Sequence, residues 1–75
     1  MGRGAAELWL DWATLPAELG VEGRLSRLTG WVVAADISQR IYGLRLPGVE
    51  IAPDRGATHR ERCLEALALH GEETA

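Results

Sequence analysis

The chain has 75 residues, 47% hydrophobic and 25% charged, and its eleven acidic against eight basic side chains leave a net charge of −3. That length permits one domain, which buries ~60% of the surface its unfolded chain exposes, and the composition is that of a globular protein rather than a disordered one. All eight basic residues are Arg and form no basic block, a lone cysteine rules out an intramolecular disulfide, and no apolar run reaches the ~20 residues of a bilayer span. A cytoplasmic protein is therefore expected, with no nucleic-acid partner, no signal peptide and no direct insertion into a membrane.

Residues 1–6 hold two glycines, two alanines and one arginine without periodicity and read as a flexible lead-in. The nearly continuous apolar run over residues 7–12 suits a first strand covered on both faces, as in a parallel sheet. Asp11 then falls at the carboxyl end of that strand. Ligands of open α/β sheets gather at this end, whereas an Asp at such a place also caps the following turn, and capping is the preferred reading. Residues 14–20, with Pro16 early and Gly20 last, read as a single helical turn acting as a connector.

Val21, Leu25, Leu28, Val32 and Ala35 recur at alternating spacings of four and three, one stripe of an amphipathic helix ending near Ser38. Gly23 and Gly30 weaken this helix by about 1 kcal/mol each relative to Ala. Trp31 borders the stripe, and with Trp9 and Trp12 it is expected to supply core bulk in a chain without phenylalanine; an aromatic binding platform is the alternative. Arg24 and Arg27 are expected on the solvated outer face. Tyr42, Leu44 and Leu46 alternate with Gly43 and Arg45, so the central strand has one core side. Pro47-Gly48 has the order of a type II turn, and Val49, Glu50 and Ile51 alternate again as a short antiparallel edge strand. Pro53-Asp54-Arg55-Gly56 is expected to break the chain, after which Thr58 and Glu61 form a capping box opening a second helix. Cys63, Leu64, Leu67 and Ala68 give that helix its apolar face, Gly71 is placed to end it, and residues 72–75 read as a polar tail.

His59, Cys63 and His70 project from one side of the second helix, the arrangement that invites a zinc reading. Cys63 and His70 are seven residues apart, about 10 Å of rise, too far to share an ion bound at about 2 Å. His59 and Cys63 remain as a chelating pair, with Asp11, Asp54 or a second chain as the further ligand. A Cys63–His59 nucleophile pair is the weaker reading, since nothing identifies an orienting acid and Cys63 lies on the apolar face. No Gly-rich phosphate loop, paired CxxC, HExxH or GxSxG is present, so no catalytic residues and no cofactor are expected.

Four stretches carry a family resemblance: Leu8-Trp9-Leu10-Asp11-Trp12; Arg24-Leu25-Ser26-Arg27-Leu28-Thr29 with Trp31-Val32; Tyr42-Gly43-Leu44-Arg45-Leu46-Pro47-Gly48; and His59-Arg60-Glu61-Arg62-Cys63-Leu64-Glu65-Ala66-Leu67-Ala68-Leu69. Together, over residues 7–71, they resemble the C-terminal end of the bacterial domain-of-unknown-function 58 family in its proteobacterial form. The resemblance implies a von Willebrand factor type A-like, doubly wound sheet with residues 8–12 as the central strand. It further implies a part of a longer, membrane-anchored protein, and an adaptor or assembly role in the cell envelope beside a MoxR-type AAA+ ATPase. Metal-binding type A domains carry Asp-x-Ser-x-Ser after the first strand. Aligning Asp11 with that Asp puts Ala13 and Leu15 on the two Ser positions, so a family-type magnesium site lacks its hydroxyl ligands.

The expected fold is α/β: a small, truncated, three-layer-type unit in the order β-α-β-β-α, occupying residues 7–71, with the first two strands parallel and the third antiparallel. The first strand is left with an unpaired edge, which predicts a homodimer or dependence on missing strands or another protein. The expected function is a non-catalytic protein-interaction module, a fragment of an envelope adaptor. The alternative is a small metal-dependent or metal-stabilised domain using His59 and Cys63.

Overall fold

The computed structural model describes residues 7–74; the expected lead-in and Ala75 lie outside the described residues. The order is β1 (Leu8–Asp11), α1 (Gly20–Ile37), β2 (Tyr42–Leu46), β3 (Val49–Asp54) and α2 (Ala57–Thr74), a mixed α/β domain of the expected β-α-β-β-α order. Two 3-10 turns, Trp12–Thr14 and Ala17–Leu19, make the connector into α1. The sheet runs β1-β2-β3, with β1 and β2 parallel from Leu8↔Tyr42 to Asp11↔Arg45, and β2 and β3 antiparallel around Leu44↔Ile51.

The period of two in β2 divides the sheet sharply. Tyr42, Leu44 and Leu46, with Leu10 of β1, are buried under Leu28, Val32 and Ala35 of α1 and Cys63 and Leu67 of α2. Each buried Leu and Val side chain contributes about 1.5–3 kcal/mol by leaving water, so this face holds the fold. Both helices pack on each other and on this face, and the described residues thus form two layers. The opposite face carries Trp9, Gly43 and Arg45 and no helix among the described residues.

Gly43 is required there. A Cβ at this position would lie 2.7 Å and 2.9 Å from two carbons of the Trp9 ring and 3.0 Å from the Ile51 carbonyl oxygen. The absence of a side chain lets the indole lie across the sheet, with the Arg45 guanidinium 3.9 Å from its ring centroid. The hairpin is as read from Pro47-Gly48: Leu46 pairs with Val49, and Gly48 has the φ of +82° that a type II turn demands at its third position.

Several boundaries differ from the sequence reading. Pro53 and Asp54 belong to β3 and do not break it, because β3 is an edge strand and Pro53 sits at the irregularity opposite Gly43, where no ladder N–H is needed. Gly56, at φ +103°, accepts the Arg60 N–H, so α2 begins at Ala57. Thr58 is then already helical and cannot act as the N-cap of a box with Glu61. Gly71 lies inside α2, which runs on to Thr74 through the expected tail; a Cβ there would meet Leu25 Cδ1 at 3.0 Å, so the glycine serves helix contact rather than termination. Of the tryptophans, Trp12 is buried, Trp9 is half-buried on the open face and Trp31 is 37% exposed, which corrects the expectation of three core residues. Arg24 is drawn in rather than solvated: its Nε donates to the Pro16 carbonyl at 3.4 Å and its guanidinium lies 5.3 Å from the Trp12 ring.

Candidate functional site

The residues singled out from the sequence fall into two separate places. Asp11 sits at the carboxyl end of β1, where its carboxylate accepts the Ala13 N–H at 3.0 Å and its carbonyl accepts the Thr14 hydroxyl at 2.7 Å. It caps the turn, as preferred. On the open face Asp11, Arg45 and Glu50 form a row across all three strands, the guanidinium 3.8 Å from Asp11 and 3.7 Å from Glu50. These long contacts between side chains that all reach solvent contribute little to stability. Asp11, Trp12, Arg45 and Glu50 border a crevice at this end of the sheet.

His59 and Cys63 lie at the other end of β2, three residues or about 10 Å along the strand from Asp11. They meet under the helices: both are buried, and Sγ is 3.7 Å from His59 Nε2. The same Nε2 is 2.6 Å from the Tyr42 carbonyl oxygen, and because a carbonyl only accepts, Nε2 must carry the proton. That proton leaves no lone pair on Nε2 to take a proton from Cys63 or to bind a metal beside its sulfur. Burial pushes the Cys63 thiol up to about 11, against a smaller lowering by Arg62, so the sulfur stays a neutral thiol at physiological pH. Among the described residues no three of His, Cys, Asp and Glu are placed to hold a metal ion. His70 is apart from this pair, its ring set edge-on to Trp12 with centroids 4.7 Å apart.

Tyr42 completes the buried cluster. Its ring lies 4.6 Å from the His59 ring, and its hydroxyl is buried without a hydrogen-bond partner among the described residues. Burial first, then the nearby Cys63 and Asp36, push its pKa to about 12, while Arg60 pulls the other way. Arg60 donates to Asp36 at 3.0 Å and ties α2 to α1 over this corner. The cluster is a packing centre with its polar atoms turned inward.

The exposed chemistry lies along β1. Leu8 donates its N–H to the Ile41 carbonyl at 3.1 Å, which sets the alternation of a parallel pair: Leu8 and Leu10 turn their backbone groups to β2, and Trp9 and Asp11 turn theirs outward. Beside this edge Leu8, Leu10, Trp31, Ala34, Ser38 and Arg40 line a groove between β1 and α1, and Val33 and Ile37 continue the apolar surface over α1 at 39% and 75% exposure. Residues 28–35 of α1 contain no charged side chain. With Val33 and Ala34 exposed, the outer side of this stretch offers apolar surface to a neighbour. The period of the stripe drew attention to the core side of α1; the uncharged run was the signal for its other side.

Compared with family models, with curated proteins and with solved structures, the chain matches none.

Proposed function

We propose that this chain is a non-catalytic protein-interaction module that docks through the outer edge of β1, which pairs with no strand among the described residues, and the apolar groove beside it. The observation that carries this reading is the coincidence, on one side of the domain, of outward backbone groups at Trp9 and Asp11 with the exposed groove residues Trp31 and Ala34. An unpaired apolar edge is a template for a further strand, and a strand added there gains both main-chain hydrogen bonds and a pocket. The polar cluster supports a non-catalytic role, since the Nε2 of His59 is occupied by the Tyr42 carbonyl and Cys63 is a buried neutral thiol.

Among the described residues no helix is long and apolar enough to cross a membrane. We place the module in the cytoplasm, as part of an envelope adaptor, and the family resemblance names a MoxR-type AAA+ ATPase as the partner to try first. Titrating that ATPase into labelled chain, kept dilute, tests the reading. Saturable amide shifts centred on Trp9, Asp11, Trp31 and Ala34 are expected; shifts centred instead on the crevice of Arg45 and Glu50 would contradict the assignment of the surface, and no shift would remove this partner.

A further inference from the structure

The edge of β1 is complementary to itself. Resting on the reading of that edge as the docking surface, we infer that its occupant is a second copy of this chain, joined β1 to β1 in antiparallel fashion about a two-fold axis at Leu10.

Two requirements select this register. Side chains directly opposite each other must share a face, and the residues that exchange hydrogen bonds must be those whose groups point outward, Trp9 and Asp11. With the axis at Leu10, Trp9 of each copy faces Asp11 of the other. Each such pair exchanges two bonds: the Trp9 N–H donates to the Asp11 carbonyl, and the Asp11 N–H donates to the Trp9 carbonyl. The Asp11 carbonyl already accepts the Thr14 hydroxyl, and its second lone pair takes the new bond. An axis at Trp9 would instead set Asp11 against Glu7 of the other copy, a like-charge pair directly opposed, which is destabilising.

Charge favours the same choice. On the open face the Arg45 guanidinium stacks on Trp9, 3.9 Å from the ring centroid. The Leu10-centred register brings Asp11 of one copy against the Trp9–Arg45 stack of the other, so each guanidinium gains a third carboxylate beside those of its own Asp11 and Glu50. On the helix side the two Leu10 residues meet, and the two α1 helices come together over the joined edges. Trp31 and Ala34 then cover each other's grooves, and the uncharged run of residues 28–35 gains a neighbour. The product is a continuous six-stranded sheet with helices on one face.

The test is sedimentation equilibrium of the full chain from low micromolar to high micromolar concentration, beside the variant Ala34→Arg, whose exposed position in the groove spares the core. The expected result is a dimer for the parent chain and a monomer for the variant, with at least a tenfold weakening of association. A parent chain that stays monomeric throughout overturns the inference, while the titration with another protein still judges the docking surface itself. A variant that dimerises as well as the parent also overturns it. Should the variant fail to fold, an isotope-filtered NOE between the Leu10 Hα of a labelled copy and that of an unlabelled copy decides the matter, its absence in a mixed dimer contradicting the proposed axis.

Discussion

The two faces of the sheet meet water by different means. One is sealed by α1 and α2 over Leu10, Tyr42, Leu44 and Leu46, all buried to 6% exposure or less. The other has an indole laid across a glycine and a guanidinium laid across the indole, Trp9 over Gly43 and Arg45 over Trp9. The first face is held by many interchangeable apolar contacts, the second by a few specific ones. Substitutions on the two faces should therefore fail differently.

The largest effect belongs to the sealed face. Leu44→Ala removes a fully buried side chain beneath both helices, and a loss of about 2–5 kcal/mol is expected. For a domain this small that approaches its whole stability, so the variant should be largely unfolded by circular dichroism at 25 °C. Gly43→Ala comes next: a Cβ 2.7 Å from the Trp9 ring and 3.0 Å from a backbone oxygen calls for a loss of about 1–3 kcal/mol in urea unfolding. Combining it with Trp9→Ala sharpens the comparison. The ring clash disappears while the Ile51 oxygen stays, so the glycine substitution should cost less in that background than in the parent.

A smaller change concerns alkaline pH. The folded state holds the thiol proton of Cys63 up to about 11 and the phenol proton of Tyr42 up to about 12, whereas the unfolded chain releases them near 9 and 10. Above pH 9 the unfolded state binds fewer protons, so stability is fully present below that pH and falls as pH rises toward 12. Melting temperature should decline across this window, and less steeply in Cys63→Ala. The smallest effect is Tyr42→Phe. The hydroxyl is buried without a partner among the described residues, so its removal should leave stability unchanged or raise it by up to about 1 kcal/mol; a loss above that would mean the hydroxyl is satisfied in solution.

Most of the fold was legible because its strongest signals are periodic and local. The stripe of α1 and the alternation of β2 each report which side faces the core, and Pro47-Gly48 carries a backbone requirement in its residue types. Two of the misread boundaries share a different cause, a glycine or proline whose local preference is overridden by neighbours distant in sequence. Gly71 contacts Leu25, and Pro53 is tolerated because β3 is an edge opposite Gly43. Spacing along α2 could place His59 beside Cys63, but not the Tyr42 carbonyl that fixes the proton on Nε2, since that oxygen arrives from another strand. The stack of Arg45 on Trp9 was hidden for the same reason, being a contact between β1 and β2.

The measurement that bears most directly on the account is amide hydrogen exchange along β1 at two concentrations, far below and far above the association midpoint. Leu8 and Leu10 face β2 and should be protected at both; Trp9 and Asp11 should exchange freely when dilute and become protected when concentrated. Free exchange of Trp9 and Asp11 at both concentrations would contradict the claim that this edge is where the molecule meets a second copy of itself.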